Sequence, residues 1–296
     1  MSDLLAEMAA SSRARAQALR AGTSLGQLRE RALVSPAPKP LRSNGFCLIA
    51  EVKRASPSEG AISTDSDALA FVVAQAAKYA AGGASAISVL TEPSRFGGDI
   101  AHAAAVARGV AVPVMRKDFL VDPAQVYEAR ICGCSGVLLI VRMLTDQQLT
   151  SMLVAAAQCG LFILVEAFDA ADLARAGRVL GDLPAAIASL SRPGEKITPP
   201  HILVGLNTRD LATLKVNPTA LGDLSLRFPP GYPRIAESGI ATPADVADVV
   251  PLGYEGALVG TALMRSPDPA RLIADMLAAA KGSRSPEPPI AREGLL

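Results

Sequence analysis

Phe46-Cys-Leu-Ile-Ala-Glu-Val-Lys-Arg-Ala-Ser-Pro-Ser58 is the stretch on which the reading of the fold turns. Phe46–Val52 is apolar apart from Glu51, as a strand buried on both faces should be. The residues that follow, Lys53-Arg54-Ala55-Ser56-Pro57-Ser58, contain no GxGxxG. An open doubly wound sheet usually carries that dinucleotide loop after its first strand. A buried strand without the loop points instead to a closed barrel.

Working outward, seven more short apolar runs follow: Ala84–Leu90, Val112–Met115, Gly136–Val141, Leu161–Val165, Ile202–Leu206, Arg234–Ala236 and Gly256–Val259. Each run is followed by a longer, often Ala-rich segment with helical spacing: Asp67–Ala80, Ile100–Arg108, Pro123–Cys132, Asp146–Gln158, Ala170–Ala176, Pro218–Leu226, Pro243–Val250 and Pro269–Ala280. Asp122-Pro123, Thr242-Pro243 and Asp268-Pro269 place a capping side chain before a proline suited to the first helical turn. Eight β-then-α units predict a (β/α)8 TIM barrel, an α/β fold, with the open doubly wound sheet as the alternative.

Three regions fall outside the repeat. Residues 1–45 form an N-terminal helical extension: an amphipathic helix from Leu4 to Leu19, a second short helix and the Pro-rich connector Ser35–Pro40. This extension is expected to pack on the barrel of residues 46–281. Residues 181–201, with Pro184, Pro193, Pro199 and Pro200, read as a long loop before the sixth strand, on the face opposite the strand exits. Residues 282–296 read as a disordered tail.

Composition prunes the chemistry. Of 296 residues 50% are hydrophobic, and 29 basic against 28 acidic residues leave a net charge of +1, so the chain is neither disordered nor a general nucleic-acid binder. Seven Phe, four Tyr and no Trp supply few rings for stacking on bases. With only His102 and His201 there is no three-histidine site, and neither HExxH nor GxSxG occurs. Cys47, Cys132, Cys134 and Cys159 form no CxxC pair, so no metal is expected, and all four read as thiols of a reducing cytoplasm. No signal peptide and no apolar run of ~18 residues is found, so membrane is not an expected partner.

In a barrel the chemistry sits at the carboxyl ends of the strands. Six strands end in charge: Glu51 and Lys53 on the first, Arg116-Lys117-Asp118 on the third, Arg142 on the fourth, Glu166 on the fifth, Asn207 and Arg209 on the sixth, and Glu237 on the seventh. Glu51 and Lys53, like Asn207 and Arg209, are two apart and share a face. Such convergence is costly unless the groups pair, and pairing shifts their pKa values. Ser238-Gly239 and Gly260-Thr261 follow the last two strands, where phosphate barrels hold the anion on backbone N–H groups. Lys53 and Ser56 lie beside them if the barrel closes. These residues indicate a barrel acting without metal on a small phosphorylated molecule. A lysine acts there as a general acid when neighbours lower its pKa, or as a Schiff base; the residues alone leave both open.

The stretch Ile49–Gly60 resembles the first-strand signature of the indole-3-glycerol phosphate synthase family. Further similar stretches follow in order: Ala86–Glu92 with Phe96-Gly-Gly98, Arg116–Phe119 with Asp122-Pro123, Leu164-Val-Glu166, Gly205–Leu211, Ala236–Ile240 and Gly260–Met264. The resemblance implies a cytoplasmic carboxy-lyase of tryptophan biosynthesis. It closes an indole ring on 1-(2-carboxyphenylamino)-1-deoxyribulose 5-phosphate, releasing CO2 and water. It implies Lys117 as the acid at the ketone oxygen. Lys53 holds the substrate carboxylate or serves as acid in dehydration, and Glu166 is the base. Glu51, Asn207, Arg209 and Glu237 orient these groups. Ser56, Ser238, Gly239, Gly260 and Thr261 hold phosphate, and Phe96, Phe119, Leu138, Ile140 and Leu211 line the aromatic pocket. No cofactor is implied, and the chain is expected to be a monomer or weak homo-oligomer.

Three departures stand out. The fifth-strand motif reads Glu166-Ala-Phe168-Asp169, without the family's usual His; residues 181–201 look longer than usual; and Thr261 occupies a variable position. The alternatives are phosphoribosylanthranilate isomerase, which would use a Cys and an Asp, and a non-catalytic phosphate-ligand-binding barrel.

Overall fold

The computed structural model describes residues 3–42, 45–57, 60–62, 67–190 and 197–283. The eight expected runs all form strands: β1 (Cys47–Val52), β2 (Ala86–Leu90), β3 (Val114–Lys117), β4 (Gly136–Ile140), β5 (Phe162–Ala167), β6 (Ile202–Asn207), β7 (Arg234–Glu237) and β8 (Gly256–Val259). Every neighbouring pair is parallel, and β1 bonds to both β2 and β8, so the sheet closes on itself. The fold is a (β/α)8 barrel with N-terminal helices. Five of these strands are buried at every residue, which explains their nearly unbroken apolar runs.

The expected caps form. Asp122, Thr242 and Asp268 accept hydrogen bonds from Ala124 N, Asp245 N and Arg271 N, each before a proline at the start of its helix. Two short helices, Pro93–Phe96 and Thr261–Arg265, and a two-stranded hairpin of Ala55–Ser56 with Gly60–Ala61 add to the repeat at the strand exits.

Two expectations are corrected. The helix after β5 does not end at Ala176 but runs from Ala170 to Leu190, through Pro184, so half of the expected 181–201 loop is helical. Val179, Leu180 and Leu183 bury one face at helical spacing, and alanines follow, which together outweigh the single proline. Residues 191–196 of that segment, like 284–296 of the expected tail and Ser58 of the first loop, lie outside the described residues. After β6 the expected helix shrinks to Ala220–Asp223, which Gly222 weakens from within, and a 3-10 turn, Ser225–Arg227.

The N-terminal helix Asp3–Gly22 is tied to the loops above the barrel. Arg95 forks onto Glu7 (3.0 and 2.8 Å), Arg15 onto Asp118, and Arg20 reaches Asp122 at 3.2 Å. Among the described residues no helix is long and apolar enough to cross a membrane.

Candidate active site

A cavity of about 480 Å³ opens at the carboxyl ends of the strands, and every residue to which the family resemblance assigns a role lines it. The strands run further than their apolar cores suggested: β3 ends on Lys117, β6 on Asn207 and β7 on Glu237, while β5 includes Glu166. The reactive groups therefore stand on rigid backbone rather than on loops.

Lys53 Nζ lies 3.1 Å from Glu51 Oε1, and Lys117 Nζ lies 3.7 Å from Glu51 Oε2 and 3.9 Å from Glu166 Oε2. Asn207 Nδ2 donates to Glu166 Oε1 at 3.0 Å, while Asn207 Oδ1 accepts from Ser238 Oγ at 2.8 Å and Arg209 N at 3.0 Å. One amide thus links three strands. Gly260 gives the Glu51–Lys53 pair its room: a Cβ at 260 would lie 2.5 Å from Glu51 Oε1 and 3.2 Å from Lys53 Nζ.

The electrostatics correct one expectation. Burial works to lower the Lys117 pKa, but the carboxylates of Glu166 and Glu51 outweigh it and raise the pKa above the ordinary lysine value. Lys117 is a cation held in place, not a lysine tuned down toward neutrality. Burial opposes ionisation of Glu51, yet the charges of Lys53 and Lys117 keep its pKa low.

Fewer strands deliver charge than expected. Alternation along β3 sends only Lys117 inward. Arg116 turns out to Glu128 at 2.7 Å and to Asp118 at 3.1 Å, and Asp118 turns to Arg15. Arg142 lies past β4 in a 3-10 turn and binds Asp172 and Asp169 at 2.7 and 2.6 Å. Five strands, not six, bring charge to the cavity.

The same cavity has an apolar wall. Phe96 and Phe119 pack with ring centroids 5.8 Å apart, beside Leu138, Ile140 and Leu211. Glu92, fully buried, accepts from the backbone N–H of Ser94, Arg95 and Phe96 and so fixes the short helix that carries Phe96. On the far side, Ser238 (φ 66°) and Gly239 (φ 82°) form a left-handed pair after β7, next to Gly260 and Thr261 at the start of the helix Thr261–Arg265. The first-turn N–H groups of that helix have no partner within it. Ser56 is buried against the same corner.

A family model described as indole-3-glycerol phosphate synthase matches residues 5–183 and 197–276. The chain belongs to the indole-3-glycerol phosphate synthase family. The family's protein from Kineococcus radiotolerans is 40% identical over 271 residues, covering 88% of this chain and 90% of that one. The one from Mycobacterium leprae is 38% identical over 280 residues, covering 93% and 94%. A solved 3-hexulose-6-phosphate synthase from Salmonella typhimurium shares the fold alone, with a TM-score of 0.57 at 16% identity over 81% of this chain and 100% of that one. The family match breaks at 184–196, and the last turns of the helix Ala170–Leu190 fall in that break.

Sequence reasoning missed Leu4 and Phe168, which also line the cavity. Leu4 belongs to the N-terminal helix, whose placement no local pattern reveals. Phe168 was detectable: it lies two residues past Glu166 and so shares its face. Arg142 packs over its ring, 4.5 Å from the centroid.

Proposed function

We propose that the protein converts 1-(2-carboxyphenylamino)-1-deoxyribulose 5-phosphate to indole-3-glycerol phosphate, CO2 and water, as a cytoplasmic carboxy-lyase of tryptophan biosynthesis. The observation that carries this reading is the Lys117 cation, held between Glu51 and Glu166 in one cavity with the Phe96–Phe119 pair and the Ser238–Thr261 corner.

The substrate's aromatic ring lies on the apolar wall, and its phosphate takes the backbone N–H groups of Gly239 and Thr261 with the hydroxyls of Ser56 and Ser238. The ketone then faces Lys117. As the ring carbon attacks the ketone carbon, negative charge grows on the oxygen, and a fixed cation stabilises that charge and supplies the proton. Lys53 holds the substrate carboxylate until CO2 leaves. Glu166, oriented by Asn207, takes the ring proton as the hydroxyl departs.

The isomerase alternative needs a thiol, and no cysteine among the described residues lines the cavity. Cys47 opens β1 at the opposite end of the barrel, and burial pushes its thiol up to about 11.

The test is to incubate the protein with the carboxyphenylamino substrate and follow indole fluorescence; the chain has no Trp, so background is low. Product at micromolar enzyme supports the reading, and its absence sinks it. Phosphoribosylanthranilate then separates the isomerase from a non-catalytic barrel.

A further inference from the structure

Three carboxyls and two ammonium groups crowd the base of the cavity, and both ammonium groups are engaged by two of the carboxyls. Glu51 faces Lys53 and Lys117, and Glu166 faces Lys117 and the Asn207 amide. Glu237 is different. It is 1% exposed, and among the described residues neither of its oxygens has a hydrogen-bond donor or an ion-pair partner within 4 Å. An ionised carboxylate left so would cost several kcal/mol, roughly.

Its neighbour is another carboxyl. Glu166 Oε2 also lacks a hydrogen-bond donor, and the two glutamates stand on β5 and β7 with β6 between them. The β6 residue in register with Glu166 is Gly205. A Cβ there would lie 1.9 Å from Glu237 Oε1 and 3.0 Å from its Cδ. Bare backbone at 205 is the opening through which Glu237 leans across β6 toward Glu166.

We propose that Glu166 and Glu237 hold one proton between them across Gly205, resting on Glu237, so that Gly205 and Glu237 are positioning residues that keep Glu166 the single negative base of the pair. This rests on the reaction proposed above. Burial first, then the charge of Glu166, drives Glu237 toward its neutral form; Glu51 adds to this and Lys117 opposes it. The proton gives a Glu237 oxygen and Glu166 Oε2 the hydrogen bond that each lacks, and the pair then carries one charge, which Lys117 balances.

The proton count closes over the final step. Glu166 accepts the ring-carbon proton as the C–H electron pair becomes the ring double bond. The pair, now holding two protons, gives one to the departing hydroxyl, the C–O bond breaks and water leaves. One proton is left on the pair, as at the start.

Infrared spectroscopy of the unliganded full chain tests this without turnover. A protonated buried carboxyl has a C=O band separate from carboxylates that shifts in D2O. At neutral pH the wild type should show this band, and the isosteric Glu237→Gln should lose it. Gly205→Ala displaces the end of the Glu237 side chain and presses lightly on Leu164 Cδ1, 3.1 Å from the new Cβ; it should lose or shift the band and lower kcat by roughly 10- to 100-fold, with KM within about threefold of wild type.

No band in the wild type, or a band unchanged in Glu237→Gln, overturns the proposal. So does Gly205→Ala with an unaltered band and full kcat. If Gly205→Ala fails to fold, the Glu237→Gln spectrum decides. Should the proposed reaction itself be wrong, wild type would make no indole product while the band persisted, so the two failures are distinct.

Discussion

Arg15 and Asp118 meet through two hydrogen bonds, 2.7 Å and 2.8 Å, across 103 positions of sequence. The pair joins the N-terminal helix to the residue that follows Lys117. Asp118 also accepts from Thr91 Oγ1 at 2.7 Å, from Arg116 and from Phe119 N, so the end of β3 is fixed from several sides.

Against the effect of burial, Arg15 and Arg116 hold the Asp118 carboxyl down to about 2. A carboxyl lowered on folding stabilises above its unfolded value of about 3.9, and that stability is lost as pH falls toward the folded value. The shift corresponds to about 2 kcal/mol. Arg15→Met removes only Arg15's share of that shift, so it should lower Tm by a few degrees, roughly, at pH 7, and the gap from wild type should narrow between pH 4 and pH 2, roughly. Thermal melts across that range check this; equal Tm values at pH 7 would show that the clasp contributes nothing. The same variant should raise KM, because the helix also brings Leu4 to the cavity.

Lys117→Met should cut kcat by ~10²-fold or more, the usual loss with a general acid. Because its carboxylate neighbours raise the Lys117 pKa, the charge is present below the ordinary lysine value and is lost only as pH rises beyond it. Wild-type kcat should accordingly show no lysine titration below pH 10, roughly. A limb near neutrality that vanished in an otherwise active Lys117→Met would refute the fixed-cation reading.

How much of this was legible in the sequence depends on whether a feature is local. The strands announce themselves as buried apolar runs, and Asp122-Pro123 announces its helix start. Glu51 and Lys53 share a face by simple alternation. The same alternation argues against placing Arg116, Lys117 and Asp118 all in the mouth, since adjacent strand residues point opposite ways. Arg142 escapes the rule because it lies past its strand in a 3-10 turn. Pro184 suggested a loop, while the signal that won was the helical spacing of Val179, Leu180 and Leu183. Gly205 and Glu237 were unreadable as a unit, because their relation exists only once β6 lies between two glutamates.

Ser238 tests the phosphate corner. Its hydroxyl donates to Asn207 Oδ1 at 2.8 Å, and its backbone is left-handed beside Gly239. Ser238→Asp sets a carboxylate against both the Asn207 oxygen and the incoming phosphate. KM should rise at least tenfold, about 1.4 kcal/mol, and Ser238→Ala should do less, since it removes a hydrogen bond without adding charge. Steady-state kinetics of both variants suffice. An unchanged KM in Ser238→Asp would remove the phosphate from this corner.

Phe168 tests the apolar side of the cavity. Its ring is half-buried in the cavity wall, and Arg142 lies over it, itself gripped by Asp169 and Asp172. Asp172 also accepts from Phe168 N at 3.0 Å, so backbone and ring are held by one cluster. A ring so fixed offers apolar contact without having to order on binding. It holds no proton, so its removal should weaken substrate binding and leave the chemical steps nearly intact. Phe168→Ala should raise KM roughly five- to thirtyfold, the equivalent of 1–2 kcal/mol of lost apolar contact, with kcat changed by less than about threefold. Arg142→Ala, which frees the ring without deleting it, should fall between wild type and Phe168→Ala. A collapse of kcat in Phe168→Ala at constant KM would instead give this position a part in the proton transfers.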